Sequence, residues 1–145
     1  MTLGPGVART QLPSGFHASG INCGVRRYRP DLGLIVSEVP AVSAGVFTLN
    51  SFPAAPVVYC RQVLPSTQIR AILTNSGQAN AATGEEGVAA NKKMVEKVAQ
   101  SLDCAPSQVL IASTGVIGHQ VDLEKVLPAI PELSERLTDT AENFA

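Results

Sequence analysis

The chain has 145 residues, of which 45% are hydrophobic and 16% charged, with a formal net charge of −1. This length and composition predict one domain with a hydrophobic core, and exclude both a disordered segment and a basic surface for nucleic acid. Aromatic residues make up only 4% and Trp is absent, so we expect no platform for stacking bases. No apolar run approaches the roughly 18 residues of a membrane span, and the N-terminus has no secretion signal.

Turns followed by strands are predicted for the N-terminal part. The first 30 residues are punctuated by glycine and proline, and we expect loops and short extended pieces there. Residues 32–39 (LGLIVSEV) are apolar and β-branched and predict a strand, and the Val, Phe and Thr of residues 44–50 favour another. Residues 57–60 (VVYC) are compatible with a strand or with the start of a helix.

The central part predicts a strand, a helix and a second strand. Residues 69–76 are typical of a buried strand that ends at the turn-forming sequence NSG. Thr83 and Glu86 have the spacing of a capping box and predict the start of a long helix. The apolar stripe of this helix has a period of 3.6 residues and comprises Val88, Val95, Val98 and Leu102. Residues 109–113 (VLIAS) predict another buried strand.

Two helices are predicted after the last strand. The first begins at Asp122 and ends at Pro128, and the second begins near Pro131. The apolar stripe of the second helix comprises Leu133, Leu137, Ala141 and Phe144. Because this stripe reaches the end of the chain without a Gly or Asn cap, we expect an interrupted element that continues in the natural polypeptide or its partner.

Small polar residues and glycine stand at the ends of two predicted strands, in residues 73–84 (LTNSGQANAATG) and 111–118 (IASTGVIG). Ligands of α/β proteins collect beyond the carboxyl ends of the strands. The Thr114 hydroxyl and the Gly115 N–H are two convergent donors without a basic residue, which suits a carbonyl oxygen that becomes an oxyanion. Phosphate binding is the rival use, but STGVIG lacks the Lys of a P-loop and does not match GxGxxG.

By themselves, these residues favour structural roles. Ser-Thr-Gly after a strand commonly forms a turn, and Asn75 and Asn80 are typical of turns or of satisfied polar groups. His17 and His119 lie in no recognisable catalytic motif. The three cysteines, Cys23, Cys60 and Cys104, are widely separated and lack the spacing of a metal or redox site. They indicate buried, inert thiols in a reduced, cytoplasmic setting, and we expect no metal.

Four segments, in order, resemble the N-terminal part of the bifunctional glutamate N-acetyltransferase/ornithine acetyltransferase family of arginine biosynthesis. They are residues 15–26 (GFHASGINCGVR), 31–57 (DLGLIVSEVPAVSAGVFTLNSFPAAPV), 75–87 (NSGQANAATGEEG) and 113–118 (STGVIG). The resemblance extends over nearly the whole chain, and four ordered motifs are far more specific than any one.

The resemblance implies a DmpA/ornithine-acetyltransferase-like α/β fold, a layered domain with a mixed β-sheet covered by helices. Residues 1–145 would form one domain, an α-chain segment that is incomplete without the β chain of the same precursor, in an α2β2 assembly. The implied enzyme is cytoplasmic, needs no cofactor, and transfers acetyl from N-acetylornithine to glutamate through a threonyl acyl-enzyme. Some members also accept acetyl-CoA. The family's oxyanion pair falls on Thr114 and Gly115.

One departure from the family pattern limits this expectation. The family continues through a TTDT-type segment and a KG-x-GM…P-x-MAT stretch, which contain the nucleophilic threonine, and neither is present. We therefore expect a truncated α segment that is inactive alone. Two alternatives are a related Ntn-like amidase or acetyltransferase with another substrate, and a non-catalytic assembly module in which STGVIG is only a turn.

Overall fold

The computed structural model describes residues 11–141, which form an α/β layer structure around a four-stranded sheet. The strands are β1 (Phe16–Ile21), β2 (Leu32–Ser43), β3 (Ser66–Gln78) and β4 (Val109–Val116), and the helices are α1 (Ala55–Val63), α2 (Gly84–Ser101) and α3 (Leu123–Glu135). In the sheet, whose order is β1-β2-β3-β4, the first three strands pair antiparallel, whereas β4 pairs parallel to β3. The predicted mixed sheet covered by at least two helices is therefore confirmed.

The hydrophobic core lies between one face of the sheet and helices α2 and α3. On that face Leu34 is paired with Leu73, and Leu73 with Ile111, so apolar side chains from three neighbouring strands lie side by side. Full burial of one such side chain stabilises the fold by about 1.5–3 kcal/mol. This layer therefore fixes both helices on the sheet. The fully buried side chains of α2 and α3 in this layer are Met94, Val95, Val98, Val126, Ile130 and Leu133.

Helix α1 covers the outer edge of β4. The Cys60 thiol donates to the Ile111 carbonyl over 3.3 Å. The Tyr59 hydroxyl donates to the Pro106 carbonyl over 2.7 Å and lies 3.1 Å from the Val109 carbonyl. Such contacts protect backbone groups that an edge strand would otherwise leave unpaired. Burial raises the pKa of Tyr59 to about 12, with a smaller rise from the neighbouring Cys60. Residues 57–60 are thus helical, which decides between the two predictions for them.

The N-terminal part contains one strand that fits the expectation and one segment that does not. Residues 16–21 are one of the short extended pieces expected there: they form strand β1, because all six pair with β2. The strand predicted over residues 44–50 is wrong: the pairing of β2 ends at Ser43, opposite Ser66. Val46 and Leu49 are almost fully exposed, so β propensity at these positions has no neighbouring strand among residues 11–141 to act on.

Helix α2 forms as predicted, but its capping box does not. The Thr83 hydroxyl donates to Asn80 Oδ1 over 2.8 Å, and makes no side-chain cap to the helix. Val95 and Val98 of the predicted stripe are buried, whereas Val88 is exposed. The stripe identified the correct face of the helix from its second turn onward.

The two predicted C-terminal helices are one. Helix α3 runs through Pro128 and Pro131, although an interior proline costs about 3 kcal/mol. Burial of Val126, Ile130 and Leu133 offsets that cost, because these three side chains lie in the core.

The end of α3 also differs from the prediction. The helix ends at Glu135, and Thr138 then forms a β-bridge with Ala18 of β1. The predicted helical stripe therefore ends before Leu137, and Phe144 lies outside the described residues. The predicted helix up to the end of the chain is thus wrong, and the expected continuation of the polypeptide stays a prediction. Within residues 11–141, none of the helices has the length and apolar character needed to cross a membrane.

Candidate active site

Thr114 and Gly115 lie within β4 rather than in a loop after it. The parallel register with β3 continues without a break from Ala71, opposite Val109, to Gln78, opposite Val116. Both strands are consequently longer than predicted. The two polar segments that the sequence places at separate strand ends are paired directly with each other: Ser76 lies opposite Thr114, and Gly77 opposite Gly115.

The paired glycines make a close backbone contact. Gly115 has φ +128° and Gly77 has φ +126°, values that L side chains rarely adopt. A Cβ atom on Gly115 would overlap the carbonyl group of Gly77, and a Cβ atom on Gly77 would overlap Val25 Cγ1. Glycine is therefore required at both positions, for conformation and for space.

A cleft of about 340 Å³ opens at this end of the sheet. Thr114 and Gly115 are both exposed in it, and the Thr114 hydroxyl has no hydrogen-bond partner within residues 11–141. Arg26 borders the cleft and donates from Nη1 to Ser76 Oγ over 3.0 Å. The lining residues are Arg26, Ser76, Gly77, Thr114, Gly115 and Val116.

Ser76 lies in residues 73–84, which the sequence predicts to border a ligand site, whereas Arg26 is not predicted there. The Arg26 side chain brings to the cleft the basic group that residues 111–118 lack. Arg26 and Ser76 are 50 positions apart, and no local pattern joins them. The available signal was that each stands in a segment that resembles the family.

The two asparagines near the cleft are buried, with different surroundings. Asn80 has φ +48°, donates to the Gly87 carbonyl over 2.9 Å and accepts from Thr83, which confirms a structural role in the turn. Asn75 lies in β3 and donates to the Gln78 carbonyl over 2.9 Å. Within residues 11–141, Asn75 Oδ1 and the neighbouring Ser113 Oγ have no partner. These oxygens remain available to water or to further polypeptide.

The histidines and cysteines do not line the cleft. His17 Nε2 lies 2.7 Å from Glu38 Oε1 near the opposite edge of the sheet, and His119 is exposed. Burial raises the pKa of Cys23 to about 12, with a hydrogen bond to Asp31 as a further cause, and burial also raises the pKa values of Cys60 and Cys104. Only Cys60 of the three is buried, whereas Cys23 and Cys104 are partly exposed, so the prediction of buried thiols is wrong for those two. Their raised pKa values disfavour the thiolate, which is the reactive form.

Among residues 11–141, no group of three or more His, Cys, Asp or Glu side chains is arranged to hold a metal ion. The side-chain polar groups of the cleft are the hydroxyls of Ser76 and Thr114 and the guanidinium of Arg26. Such groups donate hydrogen bonds to an anion or to a carbonyl oxygen.

The fold is that of two solved proteins whose names both refer to arginine biosynthesis or ornithine. The crystal structure of the arginine biosynthesis bifunctional protein ArgJ from Bacillus halodurans is 38% identical, with a TM-score of 0.84 over 90% of this chain and 68% of that chain. Ornithine acetyltransferase from Mycobacterium tuberculosis, in complex with ornithine, is 34% identical, with a TM-score of 0.88 over 94% of this chain and 76% of that one.

Sequence relatives give the same family. Residues 17–145 match the ArgJ family model, and the chain belongs to the ArgJ family. The arginine biosynthesis bifunctional protein ArgJ of Thermosynechococcus vestitus is 53% identical over 127 residues, and that of Thermotoga neapolitana 46% over 136 residues. These alignments include 86% and 92% of this chain but 30% and 34% of the relatives. The chain thus spans about a third of their length, and the family resemblance is confirmed.

Proposed function

We propose that this chain supplies the oxyanion hole of an acetyltransferase that moves an acetyl group from N-acetylornithine to glutamate. The observation that carries the proposal is the exposed Thr114–Gly115 pair at the cleft, held against Ser76 and Gly77. Family membership, and a solved relative named for ornithine acetyl transfer, support this choice of reaction.

In the proposed reaction, a threonine hydroxyl from a segment outside this chain attacks the acetyl carbonyl carbon of N-acetylornithine. The carbonyl oxygen becomes an oxyanion, the C–N bond breaks, and the threonine proton goes to the departing amine of ornithine. The amine of glutamate then attacks the threonyl ester, the ester C–O bond breaks, and the proton returns to the threonine oxygen. Both steps pass through a tetrahedral oxyanion.

The role of Thr114 and Gly115 is to bind that oxyanion in both steps. The Thr114 hydroxyl has no partner within residues 11–141, so it is available to donate to a ligand without first breaking another bond. The Gly115 backbone is held by the adjacent Gly77 and has no side chain to block an approaching carbonyl. Preorganised donors of this kind stabilise developing charge without reorganisation during the reaction.

The proposal includes a partner polypeptide. The chain spans about a third of its curated relatives, so the nucleophile and the substrate-selecting residues belong to further polypeptide, the β chain of the same precursor in an α2β2 assembly. The chain alone is then inactive. Acetyl-CoA is proposed as a second possible donor, and no metal or organic cofactor takes part.

The test is Thr114→Ala in the complete protein. We expect kcat to fall about 10²–10³-fold with little change in KM, because the hydroxyl acts on the oxyanion and not on the substrate. Thr114→Ser keeps the hydroxyl and should retain most activity. Thr67→Ala is the control, since Thr67 is exposed near the other end of β3. An unchanged rate in Thr114→Ala rejects the oxyanion role, and a wild-type protein without this transfer activity rejects the proposed reaction.

A further inference from the structure

Asp31 is a buried carboxylate beside the site that the proposed mechanism does not use. It directly precedes β2 and is only 2% exposed. Its Oδ1 accepts from the Cys23 N–H and its Oδ2 from the Arg26 N–H, both over 2.7 Å. Within residues 11–141 it forms no salt bridge. A buried charge needs such partners, so the loop and the carboxylate depend on each other.

The backbone of Asp31 connects three strands at the same place. Its N–H donates to the Ile21 carbonyl at the end of β1 over 3.0 Å. Its carbonyl accepts from the Ser76 N–H of β3 over 2.8 Å. Ser76 lies opposite Thr114 and precedes Gly77, so Asp31 is bonded directly to β3, the strand that pairs with the candidate oxyanion pair in β4.

The loop of residues 22–30, which Asp31 closes, lies against the site at two points. Val25 packs so closely over Gly77 that a Cβ atom there would overlap its Cγ1 atom, and Gly77 is in turn pressed against Gly115. Arg26, whose N–H Asp31 accepts, reaches Ser76 Oγ. The carboxylate therefore holds the backbone on either side of Val25, at Cys23 and Arg26, and Val25 contacts Gly77, which lies against Gly115.

We propose that Asp31 is a positioning residue for the Thr114–Gly115 pair, because its carboxylate holds the loop of residues 22–30 so that Val25 keeps Gly77 and Gly115 in place. This inference rests on the proposed function. Without the carboxylate, the N–H groups of Cys23 and Arg26 lose their acceptor and the loop relaxes away from Gly77. A displacement of about 1 Å at a reacting centre can lower a rate about 10²-fold.

The first variant is Asp31→Asn in the complete protein, which preserves the shape of the side chain and removes its charge. We expect kcat for acetyl transfer to fall about tenfold or more, with KM changed less than about twofold, because donor geometry and not substrate affinity is altered. The amide NMR signal of Gly115 should shift in parallel. The matched control is Asp103→Asn, an exposed residue at φ +50°, where Asn is well tolerated.

The second variant is Val25→Ala, which leaves the Asp31 contacts intact and removes the methyl groups over Gly77. It should lower kcat about threefold or more at unchanged KM, again with a shifted Gly115 signal. This variant decides the matter if Asp31→Asn does not fold. A wild-type kcat in Val25→Ala, or in a folded Asp31→Asn, overturns the inference.

Thr114→Ala distinguishes a failure of the proposed oxyanion site from a failure of the positioning role of Asp31. If this variant is slow while Val25→Ala and Asp31→Asn are not, the proposed function stands and the positioning role of Asp31 is rejected. If Thr114→Ala turns over at the wild-type rate, the proposed oxyanion site is rejected and the role of Asp31 with it.

Discussion

The two halves of β4 share one ladder and differ in what covers them. In the inner half, residues 109–111, side chains are at most 9% exposed beneath the helices. In the outer half, residues 112–116, Thr114, Gly115 and Val116 are exposed, although pairing with β3 continues beside them. Burial holds the inner half, whereas backbone pairing and a glycine contact hold the outer half. Substitutions in the two halves should therefore affect different properties, stability in one and turnover in the other.

The largest expected effect is in the outer half, from Gly115→Ala. A methyl group there overlaps the Gly77 carbonyl at a φ that disfavours side chains, so strain and overlap together should cost about 2–6 kcal/mol. Thermal unfolding and acetyl transfer should both be impaired. Gly118→Ala separates the two causes, because Gly118 has φ +80° but no atom within 4 Å of the added methyl. Equal losses in the two variants would show that the glycine contact is unimportant.

The next largest effect is expected in the inner half of β4, on the free energy of unfolding. Ile111 is 4% exposed in the core, and Ile111→Ala should lower the free energy of unfolding by about 2–5 kcal/mol. Val116→Ala is the matched change in the outer half, at a side chain that is 54% exposed, and should cost less than about 0.5 kcal/mol. Denaturant unfolding of both variants measures the difference. Similar losses would contradict the division of β4 into a buried and a cleft half.

The smallest expected effect is a pH dependence in the loop beside the outer half. Burial first, and then Asp31, raise the pKa of Cys23 from 9.0 to about 12, so the fold favours the neutral thiol. Its contribution to stability is complete below pH 9 and is lost as the pH rises from 9 towards 12. Because the residue is only half-buried, the stability lost by pH 10 should stay below about 1 kcal/mol.

The measurement is denaturant unfolding at pH 7.5 and pH 10. Cys23→Ser should reduce the loss of stability between these two conditions. Cys104→Ser should reduce it less, because burial raises the pKa of Cys104 without a hydrogen bond to a carboxylate. An equal or greater reduction in Cys104→Ser would contradict the influence of Asp31 on the pKa of Cys23.

The site was only partly predictable from the sequence. Residue chemistry indicates that Thr114 and Gly115 are a donor pair, and the family resemblance gives the pair its proposed role. Asp31 and Arg26 could not be selected in this way, because their contacts with Ser76 join positions 45 and 50 residues apart. Long-range pairing decides such contacts, and one sequence does not display it.

Local sequence determined the centres of β2, β3 and β4 and most of α2, since apolar periodicity and β-branched runs act over a few residues. Tertiary structure decided the rest. Residues 16–21 form a strand because β2 lies beside them, whereas residues 44–50 do not, because no strand of the described part of the chain lies beside them. Helix α3 passes two prolines because its buried face compensates. The segment IASTGVIG likewise has the composition of a turn, but pairing with β3 keeps it extended as far as Val116 and exposes Thr114 and Gly115 at a cleft.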